Sequence, residues 1–180
     1  GGGHVTNDIA VGLRVPAEAA EQIKVVHGHA RYQTIDPVVT IDVDGFEDGG
    51  RMRVARRDVA EIIEARAEEI FNLILQEVKR SGYDGLLPAG LVLTGGTAQL
   101  PGLRELGRRI MSMPVRVGGP HDLVGLVDTI STPAHATGVG LLKWGDRQGA
   151  ALSRQRHNVP GFGQRMGRFL RSLLPDRGGT

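Results

Sequence analysis

Cysteine is absent from this 180-residue chain, which excludes a disulfide framework and any thiolate-ligated metal. Aromatic residues make up only 4% while hydrophobic residues reach 40%, so a core must rest on Val, Ile, Leu and Ala. The same scarcity of rings argues against nucleic acid as a partner, and no groove-reading motif is present. No run of about 18 apolar residues occurs, so nothing reads as a membrane-spanning helix. The six histidines are scattered, without spacing of the His-Glu-x-x-His kind, so no metal site is assigned.

Charge is present but unevenly placed. Residues 151–180 carry six arginines and one aspartate, whereas the whole chain carries only +2. The basic character therefore belongs to the tail and not to the body. Along the body, Val5, Ile9 and Leu13 recur at helical spacing, predicting a helix over 4–14. A second helix is expected from Pro16 to His27, stopped by Gly28. Val39, Ile41 and Val43 alternate with Thr40, Asp42 and Asp44, so residues 30–54 read as β-rich, with turn signals at Asp36-Pro37 and Asp48-Gly49-Gly50. Asp58 is the expected cap of a long helix with Val59, Ile62, Ile63, Ile70, Phe71, Ile74 and Val78 on one stripe, ending at Gly82. A small-residue helix is expected over 133–144 and a linker over 146–160.

Residues 91–102 read Leu-Val-Leu-Thr-Gly-Gly-Thr-Ala-Gln-Leu-Pro-Gly. An apolar strand runs into paired glycines, and a helix is expected from Pro101 in its first position. Paired glycines let a backbone approach a ligand closely, and the carboxyl end of a strand is where open α/β sheets bind ligands. On these residues alone an ordinary strand–turn–helix connection is an equal alternative.

Three further segments bear on that choice. Residues 1–13 read Gly-Gly-Gly-His-Val-Thr-Asn-Asp-Ile-Ala-Val-Gly-Leu. Residues 18–28 read Glu-Ala-Ala-Glu-Gln-Ile-Lys-Val-Val-His-Gly. Residues 132–145 read Thr-Pro-Ala-His-Ala-Thr-Gly-Val-Gly-Leu-Leu-Lys-Trp-Gly. In this order and spacing the four segments resemble the second half of the FtsA family of bacterial cell-division proteins, membrane-tethered members of the actin-like ATPase superfamily. The resemblance implies an α/β, actin-like (ribonuclease H-like) second-half fragment with a small β-rich subdomain and a C-terminal amphipathic helix. Residues 1–14 and 81–145 would form the large, nucleotide-binding subdomain and 15–80 the small one inserted in it. The chain opens at Gly1 without an initiator methionine and is expected to be a piece of a longer protein.

The resemblance further implies ATP as ligand, with Mg held mainly by residues upstream of Gly1. Gly1 and Gly2 would pass beside the ribose and phosphates. Glu21 and Lys24, three apart on one helix face, would meet ribose and adenine; on spacing alone the simpler reading is an exposed ion pair worth about 0.2–0.5 kcal/mol. Gly95, Gly96 and Thr97 would wall the adenosine. No residue is assigned a catalytic role, since His4 and Asp8, four apart, read as a surface contact, and any ATPase activity is expected to be weak and to depend on the upstream half of the protein. The implied partners are the carboxyl-terminal tail of the tubulin-like protein FtsZ, other copies of the chain in an actin-like filament, and the cytoplasmic face of the cell membrane at the division site. Arg66, Glu69 and Asn72 are the candidate tail-binding residues, with Arg51, Arg53, Arg56 and Arg57 as a neighbouring basic cluster. The alternatives are a phosphotransferase of the sugar-kinase kind and another actin-like scaffold of the rod-shape or pilus-assembly type.

The tail is read from its own physics. Phe162, Met166, Phe169, Leu170, Leu173 and Leu174 fall on one helical face, and Arg165, Arg168 and Arg171 lie toward the other. A basic amphipathic helix over 161–177 behind a linker is expected to lie on an anionic membrane surface, each arginine contributing about 1 kcal/mol there. Flotation with anionic liposomes should therefore carry the chain upward at low salt. Phe169→Glu should abolish flotation, and Arg168→Ala should weaken it only in part, mainly at low salt. No flotation of the unmodified chain would end the membrane reading.

Overall fold

The structure, a computed structural model, describes residues 1–45, 50–125 and 127–157. The amphipathic segment 161–177, and most of the turn at Asp48-Gly49-Gly50, lie outside these residues. Two compact units are present, residues 1–137 and 138–180.

In the first unit, α1 (Gly2–Leu13) and α2 (Ala17–His27) fall where the apolar periodicity places them, and Gly28 closes α2 with its amide on the Lys24 carbonyl. A two-stranded antiparallel sheet follows, β1 (Thr40–Asp44) with β2 (Arg51–Ala55), in the register Ile41 opposite Val54. Ile41, Val43 and Val54 point into the core while Asp42 and Asp44 face outward, as strand alternation requires. Residues 30–54 hold β1, all but the last residue of β2 and a single 3₁₀ turn, Tyr32–Thr34, as expected. The wider span 15–80, which the resemblance made a small β-rich subdomain, holds more helix than strand among the described residues: β1 and β2 have five residues each, against 11 in α2 and 25 in α3 (Arg56–Arg80).

Helix α3 does not start at an Asp58 cap. The chain leaves β2 directly into the helix with Ala55 as N-cap, and the Arg56 amide finds the Val39 carbonyl at 3.0 Å. With one orphan amide satisfied by Val39, just before β1, Asp58 sits in the first turn, where its charge suits the positive helix end. Gly82, at φ +78°, follows the Ser81 cap as the expected stop.

Beyond α3, β3 (Leu91–Leu93) pairs in parallel with β4 (Val115–Val117), and α4 (Leu103–Met111) connects them. α4 begins two residues later than expected. Leu100 stays extended because a following proline disfavours the helical region. Pro101 instead offers its carbonyl to the Ala30 amide at 2.8 Å, and Gly102 becomes the cap.

One core runs through this unit. Val5 and Ile9 of α1, Val59, Ile63, Ala67 and Phe71 of α3, and Leu106 and Met111 of α4 are all buried in it. Residues 1–14, 15–80 and 81–137 thus all contribute to the same apolar interior. A short α5 (Val127–Ile130) precedes α6 (Ala136–His157). α6 continues through residues 146–157, where a linker is expected from sequence. Leu, Arg, Gln and Ala dominate there, and their helix propensity outweighs Gly149. Among the described residues no helix is long and apolar enough to cross a membrane.

Gly107 shows how tightly α4 meets α3. A methyl there would lie 2.8 Å from Cζ of Phe71, whose ring is buried. Helix propensity alone favours alanine by about 1 kcal/mol, whereas overpacking costs about 1–3 kcal/mol. Gly107→Ala is expected to lower the urea midpoint; a raised midpoint would show that the Phe71 ring has room to move.

Candidate nucleotide-binding site

The predicted glycine loop is built by a strand that ends and a backbone that only glycine adopts. Gly95 sits at φ +91°, ψ 170°, with its amide on the Pro133 carbonyl at 2.9 Å. The Thr94 hydroxyl donates to the Gly118 carbonyl at 2.9 Å, pinning the loop from its other side. A single 3₁₀ turn over Gly96–Gln99 follows. At Gly96 a methyl would meet only Ala134, at 4.0 Å, so the space beside it is open.

Two hollows adjoin this loop. A cleft of 430 Å³ lies between α2 and the loop, lined by Glu21, Lys24 and Val25 on one side and Gly96, Thr97 and Pro101 on the other. An apolar cavity of 270 Å³ lies beside it, bordered by Gly1, Gly2, Gly95, Gly96 and Thr97 and backed by Phe71. The seven sequence-predicted residues thus converge, with Gly96 and Thr97 common to both hollows.

A residue not singled out from sequence, Thr6, is the centre of the polar floor. Lys24 is buried, and its ammonium donates to Glu21 Oε2 at 2.6 Å, Thr6 Oγ1 at 2.8 Å and the Gly2 carbonyl at 3.4 Å. Those three acceptors match the three protons of an ammonium. The Thr6 hydroxyl accepts from Lys24, and its own proton is shared between the Gly2 carbonyl and the Glu21 carboxylate. Lys24, helped by Thr6, holds the Glu21 carboxyl below its ordinary range, so Glu21 is ionised and half exposed at the cleft edge. The floor is therefore neutral overall. It can accept hydrogen bonds from a sugar, and it leaves no uncompensated cation for a phosphate. No sequence signal marks Thr6, because its contacts to Lys24 and Glu21 span 18 and 15 positions.

The candidate partner residues sit differently. Arg66 grips both carboxylate oxygens of Asp8 on α1, Nη2 to Oδ1 at 2.9 Å, and also Glu69 on its own helix. It is therefore engaged within the protein, whereas Glu69 and Asn72 are exposed. Asp8 is held first by Arg66 in this α1–α3 clasp, with His4 a lesser electrostatic neighbour. The four arginines of the neighbouring cluster are also occupied. Arg51 and Arg53 face Asp44 and Asp42, Arg56 donates to the His27 carbonyl, and Arg57 lies over the Tyr32 ring at 5.3 Å. Among the described residues no group of His, Asp and Glu is arranged to hold a metal.

Known proteins match this chain clearly. The profile of Cell division protein FtsA covers residues 1–140. The chain belongs to the FtsA family of cell division proteins. It is 44% identical to Cell division protein FtsA of Pseudomonas aeruginosa over 144 residues, which is 80% of this chain and 34% of that protein. The figure is 40% for the Neisseria meningitidis relative, across 79% of this chain and 34% of that one. For Escherichia coli it is 37%, across 80% of this chain and 36% of the relative. The chain thus spans about a third of the length of the relatives it matches. Among solved structures, MreB5 of Spiroplasma citri bound to ADP superposes with a TM-score of 0.58 at 15% identity, over 83% of this chain and 46% of that one. The same protein bound to AMPPNP gives 0.56. The fold is that of an actin-like α/β fragment.

The Asp8–Arg66 clasp carries a pH signature. Arg66 holds the Asp8 carboxyl below its ordinary value of 3.8. The native state then binds fewer protons than the unfolded state at moderately acid pH. The clasp's contribution is fully present above 3.8 and disappears as pH falls through the lower native value. A double-mutant cycle with Asp8→Asn and Arg66→Gln, followed by urea unfolding, should show coupling at pH 7 that fades in strong acid. Coupling that persists unchanged below the titration would refute the ion pair as its source.

Proposed function

We propose that this chain supplies the nucleoside-holding half of an ATP site in a membrane-tethered division protein that polymerises and anchors FtsZ filaments. The observation that carries the proposal is the cleft between α2 and the glycine loop, where Glu21, Lys24, Gly96 and Thr97 meet across a neutral floor. A neutral, hydrogen-bonding floor suits ribose and base, and the phosphates and Mg would fall to the upstream part of the longer protein. ADP and AMPPNP are bound by the MreB5 structures of like fold, which supports the same ligand class here. Family membership favours a division scaffold over a sugar-kinase-like phosphotransferase.

Membrane attachment rests in this reading on the amphipathic tail alone. An FtsZ tail would address the exposed Glu69 and Asn72 side of α3. It would have to displace Asp8 or Glu69 to take Arg66.

Gly96→Val in the full-length protein tests the nucleotide reading. The open space beside Gly96 accepts the side chain, so the melting temperature should change little. Affinity for a fluorescent ATP analogue should fall by about tenfold or more, or ~1.4 kcal/mol. An unchanged affinity in the folded variant would overturn the assignment.

A further inference from the structure

We propose that Glu64 is a positioning residue for the nucleotide cleft, holding its two walls at a fixed separation. The inference rests on the nucleotide reading above and adds to it a residue that touches neither wall's lining.

The cleft walls come from distant parts of the chain, α2 and residues 96–101. The chain just beyond α2 is joined to the second wall by the Ala30 amide, which bonds the Pro101 carbonyl at 2.8 Å. Glu64 projects from α3 and is buried, only 6% exposed. Its Oε2 accepts the Tyr32 amide at 2.7 Å, and Tyr32 lies just beyond the end of α2. Its Oε1 accepts Arg109 Nη2 at 3.0 Å, and Arg109 sits on α4, the helix that continues from the glycine loop. One carboxylate thus ties the segment behind each wall to the same point on α3. Arg109 is gripped from outside as well, by the more exposed Glu68 at 2.6 Å.

An ionised carboxylate is a costly group to bury, and packing alone would be served as well by an apolar side chain. What a carboxylate adds is two acceptors at a rigid spacing, able to take a backbone amide and a guanidinium at once. Such a tie fixes distance. If that distance favours bound nucleotide, linkage requires bound nucleotide to strengthen the tie by the same factor.

The test uses the full-length protein with Mg and ADP, and a fluorescent ATP analogue for affinity. Glu64→Gln keeps an acceptor for one partner and sets an amide NH₂ against the other. Affinity should fall about tenfold, the scale of one charge-assisted hydrogen bond. Glu68→Gln removes a contact of Arg109 without touching Tyr32, and should cost less than about twofold. In the unmodified protein, saturating ADP should slow hydrogen exchange at the Tyr32 amide by about tenfold. A purely structural Glu64 would leave Tyr32 slowed no more than the buried α3 amides of Ile63 and Phe71, which report the general stabilisation that any bound ligand gives, and this comparison stands even should Glu64→Gln fail to fold. Tyr32 exchange slowed no more than theirs at saturating ADP, or a folded Glu64→Gln protein that binds normally, would overturn the proposal. Failure of the unmodified protein to bind nucleotide would instead remove the nucleotide reading itself, and the role of Glu64 with it.

Discussion

The apolar stripe of α3, formed by Val59, Ile63, Ala67 and Phe71, is the surface against which the other elements of the first unit take their places. Val5 and Ile9 bring α1 onto it from one side, and Leu106 and Met111 bring α4 from the other. Contacts here are close. Gly12 of α1 leaves no room for a methyl beside Ile62, and Gly107 of α4 leaves none beside Phe71. With so few aromatic residues, the core relies on this interlocking of branched aliphatic side chains, which holds neighbouring helices in one arrangement.

That rigidity positions the candidate site without belonging to it. The glycine loop is the connection between β3 and α4, so its place follows from where α4 packs. Lys24 and Glu21 lie on α2, and their place follows from Ile23 and Ala20 on its buried face. The polar groups then complete what the apolar groups began. Glu64 and Arg109 fasten α4, Asp8 and Arg66 fasten α1, and Lys24 with Thr6 joins α1 to α2. Each of these links crosses between two helices, and each includes a residue that is fully or partly buried.

Much of this was legible in the sequence where periodicity or glycine spoke. The stripe on α3, the alternation in β1 and the paired glycines after β3 all lie where the pattern puts them. The convergence of Glu21 and Lys24 with Gly96 and Thr97 came from resemblance, because spacing alone cannot tell a ligand pair from a surface ion pair. The late start of α4 was obscured because Pro101 satisfies two rules at once. It suits a first helical position, but it also holds Leu100 extended. Thr6 and Glu64 were hidden for another reason. A threonine in a helix and a glutamate on a long charged helix look ordinary until the fold brings their partners close. The clasp that engages Arg66, a candidate tail-binding residue, was hidden for the same reason, since Asp8 lies 58 positions away.

The neutral floor that Glu21 forms with Lys24 and Thr6 bears on what the proposed site could distinguish. Lys24 has all its protons committed to neighbours, so the cleft presents no uncompensated cation to a ligand's phosphates. On the proposed reading such a surface would serve as a handle. It would grip a nucleoside whether two or three phosphates trailed from it, and discrimination between those states would belong to whichever part of the longer protein meets the phosphates. Occupancy and state-sensing would then be separable properties, lodged in different stretches of one polypeptide.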